Sequence, residues 1–190
     1  MTRDEPFALD GVRILDFTRL GFGAECTRIR GCMGADVIRV ESTRHPDAIR
    51  GMPPYVPTPD DDGSTSQGFG NVSLANVKKR PSLNRGGIFF SYNTGGKRSI
   101  TIDARNDEGL DLLKRLVAVS DVVTESFAAG TMERWGLGYD VLRSIREDII
   151  YVSMCGYGHS GPEKDFVTMG PTAQALTGLT SVVGLPDRRP

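Results

Sequence analysis

The sequence has few of the residues from which disulfide scaffolds and metal centres are built. Its 190 residues include three cysteines and two histidines. Cys26, Cys32 and Cys155 are odd in number and badly spaced for a disulfide framework or a zinc site. His45 and His159 have no partner at the spacing that metal ligands require. We therefore expect neither a metal nor a disulfide scaffold.

The sequence also lacks an excess of charge of one sign and any long apolar run. Its 23 lysines and arginines are balanced by 24 aspartates and glutamates, which argues against a nucleic-acid-binding or membrane-surface protein. No apolar run approaches the length of a membrane span, and the charged residues that follow Met1 do not suit a signal peptide. We expect a cytoplasmic protein.

Residues 9–41 have the pattern of a strand, a glycine turn, a helix and a second strand. A short apolar run at 12–16 predicts a buried strand, and Gly21 and Gly23 permit a tight turn after it. Residues 36–41 predict the second strand. In the intervening helix at 22–33 the larger apolar residues recur at helical spacing, so we expect them to form its buried face: Phe22, Cys26, Ile29 and Met33.

The rest of the chain continues the alternation of strands and helices. Further strands are predicted at 99–103, 121–125 and 149–153, and helices after Asn106 and at 131–135, 139–146 and 171–179. A long loop rich in proline and glycine separates the two parts, at about 42–88. This order predicts one α/β domain over 1–190, with a Rossmann-like parallel sheet and helices on both faces.

Two catalytic or binding motifs can be tested directly on the sequence. Gly21 and Gly23 with Glu41 resemble part of a nicotinamide-dinucleotide fingerprint, but Cys26 stands where the third glycine belongs. A nicotinamide-dependent enzyme therefore stays an alternative. The segment 158–161 has one residue too few for the nucleophile elbow of a hydrolase.

Six blocks occur in the order and spacing of the family III CoA-transferases: LDGVRILDFTR, GADVIRVE, GGKRSITID, DVVTESF, RWGLGYDVL and IIYVSMCGYGHSGP. The sequence resembles this family from about residue 9 to residue 190. The resemblance implies transfer of CoA from an acyl-CoA to an acceptor carboxylate by an interlocked homodimer, with CoA at the carboxyl ends of the strands. It implies CoA contacts at Gly21, Phe22, Ser42, Ile102, Ala104, Ser126, Phe127, Arg134 and Trp135.

Departures from the family pattern limit what this chain is expected to do. Ser42 stands where some members carry arginine, so Arg44 or Arg50 is expected to contact a phosphate instead. Met169 replaces the histidine of the family's racemases, and methionine cannot move protons.

The resemblance also places the nucleophilic aspartate, a second domain and the return of the chain beyond Pro190. We therefore expect weak CoA binding, no transfer by this chain alone, and exposed apolar side chains at Leu176 and Leu179. A non-catalytic subunit or remnant of the family is the remaining alternative.

Overall fold

The computed structural model describes residues 5–45, 47–51 and 94–184. Five strands and six α-helices form in this part of the chain, together with a short 3-10 helix at Ala48–Gly51. The strands are β1 (Arg13–Asp16), β2 (Asp36–Glu41), β3 (Lys97–Thr101), β4 (Val122–Glu125) and β5 (Ile150–Ser153). The helices are α1 (Phe22–Cys32), α2 (Asp107–Val117), α3 (Thr131–Arg134), α4 (Tyr139–Ile145), α5 (Gly170–Leu176) and α6 (Leu179–Val182).

All five strands are parallel and lie in the order β3-β2-β1-β4-β5. Because the chain leaves β1 toward β2 on one side and reaches β4 on the other, the loops after β1 and β4 diverge and open a crevice. The predicted Rossmann-like sheet is confirmed. For four of its five strands, both ends agree with the prediction to within one residue. The burial of β1, β2 and β4 on both sides explains why short apolar runs located them, whereas β3 and β5 lie at the edges of the sheet and are partly exposed.

The two faces of the sheet are covered by different helices. Leu15 and Val123 belong to the larger core cluster, which also contains Leu113 of α2 and Leu142 of α4. Ile14, Val37 and Val122 point to the other face, with Ala35. A Cβ atom built on Gly31 of α1 would lie 3.6 Å from Val37, so α1 covers this second face.

The predicted buried face of α1 is wrong. Phe22, Ile29 and Met33 are 57%, 43% and 41% exposed, and Cys26 is only half-buried. The fully buried residues are small instead: Gly23, Ala24 and Thr27. A Cβ atom at Gly23 would lie 3.0 Å from the Thr18 side chain and 3.1 Å from that of Ser126, so the helix begins too close to the loops after β1 and β4 for a larger residue there.

Two other boundaries differ from prediction. Strand β3 begins two residues early, directly after the Gly95–Gly96 turn, which leaves residues 102 and 103 beyond its carboxyl end. The predicted helix at 171–179 is two helices, because Gly178 takes a left-handed conformation with φ of +75°. Leu176 and Leu179, on either side of this break, are 59% and 46% exposed, as predicted.

Most of the predicted loop at 42–88, from residue 52 onward, lies outside the described residues. Among the helices that the structure describes, none is long and apolar enough to span a membrane. Within the same ranges, no group of three or more potential metal-binding side chains occurs.

Candidate functional site

A buried ion pair fixes the carboxyl end of β1 to α1 and β3. Lys97 Nζ donates to Asp16 Oδ2 at 3.0 Å, Thr27 Oγ1 at 2.7 Å and Ala24 O at 2.8 Å. The other carboxylate oxygen of Asp16 accepts from the Thr18 hydroxyl at 2.5 Å and the Thr18 N–H at 2.9 Å. The Asp16 and Lys97 side chains are 0% and 1% exposed. This network holds the turn after β1 rigidly in place.

A second charged network stabilises the carboxyl end of β2. Glu41 accepts a hydrogen bond from Arg50 at 2.6 Å and one from Ser99 at 2.6 Å. Buried Arg39 pairs with Asp47 and lies 3.7 Å from Glu41. Burial alone would raise the pKa of Glu41, but the hydrogen bonds from Arg50 and Ser99 and the charges of Arg39 and Arg50 outweigh it and lower that pKa.

A cleft of about 340 Å³ opens beside these networks, at the carboxyl ends of the strands. The loops after β1, β2, β3 and β4 each contribute to it, together with the residue that follows α3. This is the edge of a doubly wound sheet at which ligands bind. The lining residues are Phe17, Arg19, Val40, Glu41, Ser42, His45, Ile102, Asp103, Ala104, Arg105, Phe127 and Trp135.

One wall of the cleft is aromatic and carries a cation. The rings of Phe127 and Trp135 meet edge to face with their centroids 5.0 Å apart. The guanidinium carbon of Arg19 lies 5.6 Å from the centroid of the Phe127 ring. Burial lowers the pKa of Arg19, and the charge of Asp47 offsets this effect only in part. A cation that has already lost part of its hydration interacts more strongly with an incoming anion.

Another part of the cleft lining combines Asp103 with Arg105 and His45, and Arg44 lies beside it. Arg105 Nε donates to Asp103 Oδ1 at 3.1 Å, and Arg44 lies 3.6 Å from the same carboxylate. The side-chain hydrogen bond from Arg105 is the largest of the effects that lower the pKa of Asp103. Arg105 also lies 3.1 Å from Nε2 of His45. The acids of the cleft are thus neutralised within the protein, so the remaining arginine donors can face an anionic ligand.

Five of the nine predicted site residues line the cleft: Ser42, Ile102, Ala104, Phe127 and Trp135. The other four lie nearby but outside the lining, and as CoA contacts all nine stay predictions. Gly21 and Phe22 are exposed at the start of α1, and Ser126 accepts a hydrogen bond from the Arg19 N–H at 3.0 Å. Arg134 is exposed and donates to Thr131 Oγ1 at 2.8 Å.

The two arginines predicted as substitutes at Ser42 differ in their surroundings. Arg50 has a side chain only 12% exposed and pairs with Glu41, whereas Arg44 has a side chain 74% exposed beside Asp103. Only Arg44 is accessible to an incoming phosphate.

Sequence reasoning missed Phe17 and Arg19, although their position directly after a predicted strand could have identified them. It also missed Arg105 and His45 as residues that line the cleft. Their place in the cleft depends on how two loops approach each other, and no local pattern in the sequence records that approach.

The fold and the cleft together define a doubly wound α/β protein suited to an anionic ligand that carries a flat aromatic group. The chain belongs to CoA-transferase family III, whose sequence model matches residues 9–190. The resemblance stated above is therefore confirmed.

Known members of the family are similar over nearly the whole chain. It is 33% identical over 183 residues to the succinate–glutarate CoA-transferase of Agrobacterium fabrum, covering 96% of this chain and 40% of that protein. It is 36% identical over 187 residues to the succinyl-CoA:mesaconate CoA-transferase of Haloarcula hispanica, covering 96% of this chain and 41% of that one. The chain thus spans about two fifths of the length of these curated relatives.

A solved structure shows the same architecture. The fold matches that of a CAIB/BAIF family protein from Brucella suis with a TM-score of 0.79 at 32% identity. The match covers 98% of this chain and 43% of the solved one.

Proposed function

We propose that this chain binds CoA in the cleft, as part of an enzyme that transfers CoA from an acyl-CoA to an acceptor carboxylate. The observation that carries the proposal is the aromatic wall with Arg19 beside it, at the carboxyl edge of the sheet of a family III chain. Adenine stacks on aromatic rings, and guanidinium groups pair with phosphate through two parallel hydrogen bonds.

The charges of the cleft support an anionic ligand in spite of the two acids that line it. Glu41 already forms ion pairs with Arg39 and Arg50, and Asp103 forms them with Arg105 and Arg44. Since each carboxylate has more than one cationic neighbour, the net charge around the cleft is positive. An approaching phosphate is therefore attracted rather than repelled.

The single tryptophan of the sequence makes binding directly measurable. Because Trp135 lines the cleft, its fluorescence should change when CoA is added. The affinity for CoA is then measured by calorimetry. We expect Arg19→Met to weaken binding by about 1.5–3 kcal/mol, the range for a hydrogen bond to a charged group. Arg134→Ala tests the prediction from the family resemblance that Arg134 contacts CoA, and a loss of affinity in the same range is expected.

Two results would contradict the proposal. Tighter binding of NAD than of CoA would favour the nicotinamide alternative, and unchanged CoA affinity in Arg19→Met would remove that residue from the site. Identical affinities in wild type and Arg134→Ala would exclude Arg134 as a CoA contact.

We further propose that these 190 residues bind CoA weakly and do not transfer it by themselves. Transfer through a covalent intermediate needs a carboxylate held within reach of the thioester. Asp16 and Glu125 are buried in hydrogen-bond networks, and Asp165 is exposed in a turn. Incubation with acyl-CoA donors and carboxylates, followed by mass spectrometry, should show no exchange, and exchange abolished by Asp165→Asn would contradict this.

A further inference from the structure

Three side chains form a continuous chain of hydrogen bonds at the carboxyl ends of β4 and β5. Glu125 and Ser153 end these two strands and face each other in the sheet register. The Ser153 hydroxyl bonds to Glu125 Oε1, and Nε2 of His159 lies 2.5 Å from the same hydroxyl oxygen. The Glu125 side chain is 2% exposed, whereas that of His159 is 40% exposed. A buried carboxylate is thus linked to an accessible imidazole through one hydroxyl.

The hydrogen-bond donors around Glu125 determine where the protons lie. Its carboxylate accepts the Phe127 N–H at 2.6 Å and the Tyr151 hydroxyl at 3.3 Å. Burial, reinforced by the charge of Glu125, raises the pKa of Tyr151, so this phenol keeps its proton and donates. Ser153 has a single hydroxyl hydrogen and gives it to the same carboxylate.

With the Ser153 hydroxyl donating to Glu125, its oxygen accepts from His159, and this arrangement corresponds to the tautomer with a hydrogen on Nε2. In the described ranges, the protein contacts of His159 are made at this Nε2 atom. The other ring nitrogen, Nδ1, is consequently the one presented to a ligand as a proton acceptor.

The chain of hydrogen bonds adjoins the cleft through Phe127. The N–H of this residue binds Glu125, while its ring lines the cleft. A cleft of about 340 Å³ encloses only part of a molecule as long as CoA. The rest of such a ligand extends beyond the cleft, and the side bordered by Phe127 leads to the carboxyl ends of β4 and β5.

We propose that His159 is the proton acceptor for the thiol of CoA, with Ser153 and Glu125 as its positioning residues. This assignment rests on the proposed function. The S–H proton passes to Nδ1 and its bonding pair stays on sulfur, which gives a thiolate and an imidazolium. The thiolate is the nucleophilic form of the thiol. The Glu125 carboxylate, 3.9 Å from Nε2, stabilises the imidazolium as the acid of a catalytic triad does.

Nitrogen-15 NMR of the imidazoles tests the arrangement without any ligand, because the sequence has only two histidines. His45→Gln assigns the two signals. We expect neutral His159 as the Nε2–H tautomer in wild type and in Ser153→Thr, which keeps the hydroxyl. In Ser153→Ala we expect the tautomer ratio to change severalfold, while the matched control Ser160→Ala leaves it as in wild type. An unchanged ratio in Ser153→Ala, or an Nδ1–H tautomer in wild type, would overturn the positioning role.

The same spectra separate this proposal from the proposed function when CoA and desulfo-CoA are added. His45 lines the cleft and reports its occupancy. We expect both compounds to shift the His45 signal and only CoA to shift that of His159. Equal shifts of His159 with both compounds, or a shift of His45 alone, would overturn the thiol assignment and leave CoA binding intact. CoA without effect on either histidine would overturn both proposals.

Discussion

Replacing Lys97 by methionine tests the buried ion pair that joins β1 to β3. The side chain loses its charge but keeps its length, so Asp16 loses a cation 3.0 Å away. Removing one partner of a buried pair costs about 3–5 kcal/mol, because the other charge stays buried without compensation. Asp16 still accepts from Thr18 and Thr27. We therefore expect a loss near the lower end, about 3 kcal/mol in the free energy of unfolding.

The assay is urea denaturation, with Arg98→Met as the matched control. Arg98 lies on the same strand and pairs with Asp36, but its side chain is 67% exposed, so its loss should cost below about 1 kcal/mol. The double variant Asp16→Asn with Lys97→Met should lose less than the sum of the single variants, because no buried charge remains.

A pH series adds a second measurement to this test. Burial lowers the pKa of Lys97, and the charge of Asp16 offsets this only in part. The unfolded chain then binds this proton more tightly, so wild-type stability should rise as the pH approaches the ordinary lysine value of 10.5. The neutral amine, unlike methionine, still forms hydrogen bonds within the network, so deprotonation and substitution are expected to have opposite effects. Lys97→Met should lose that rise. Equal stability losses in Lys97→Met and Arg98→Met would refute the reasoning.

Three further predictions concern stability and association. Because the pKa of Glu41 is lowered on folding, its contribution to stability should be present above pH 4.5 and disappear as the pH falls through the pKa of the folded state. In urea titrations at a series of pH values, Glu41→Gln should reduce this loss of stability at acidic pH. Gly23→Val should lose about 1–3 kcal/mol by overpacking against Thr18 and Ser126, whereas Gly170→Ala, with open space around its Cβ position, should be near neutral. Leu176→Lys combined with Leu179→Lys should shift size-exclusion profiles toward the monomer if these exposed leucines mediate association, and an unchanged profile would exclude that role.

The sheet was predictable from sequence because buried parallel strands carry a strong local signal. Short segments such as 122–125, in which three of the four residues are β-branched, strongly favour a strand. The buried face of α1 was not predictable in the same way. Helical periodicity gives most weight to large side chains, whereas close packing on a sheet selects residues such as Gly23 and Ala24.

The cleft was predictable in position but not in its electrostatics. The family resemblance and the strand order both lead to the carboxyl edge of the sheet, where Phe127 and Trp135 lie. The pairing of charges depends on residues far apart in the chain, such as Lys97 and Asp16, which are 81 positions apart. No local pattern distinguishes a lysine that ends in a buried pair from one that stays in solvent.

That distinction determines which cations can serve a ligand. An ammonium group has three hydrogens to donate, and those of Lys97 are used by Asp16, Thr27 and Ala24. Lys97 therefore stabilises the turn after β1 and has no hydrogen left to donate to a phosphate. Arg19 and Arg105 line the cleft itself, and a guanidinium offers five hydrogens, more than their protein partners occupy. The proposed anion binding would thus depend on arginines that follow the strands, supported by a buried lysine that takes no part in it.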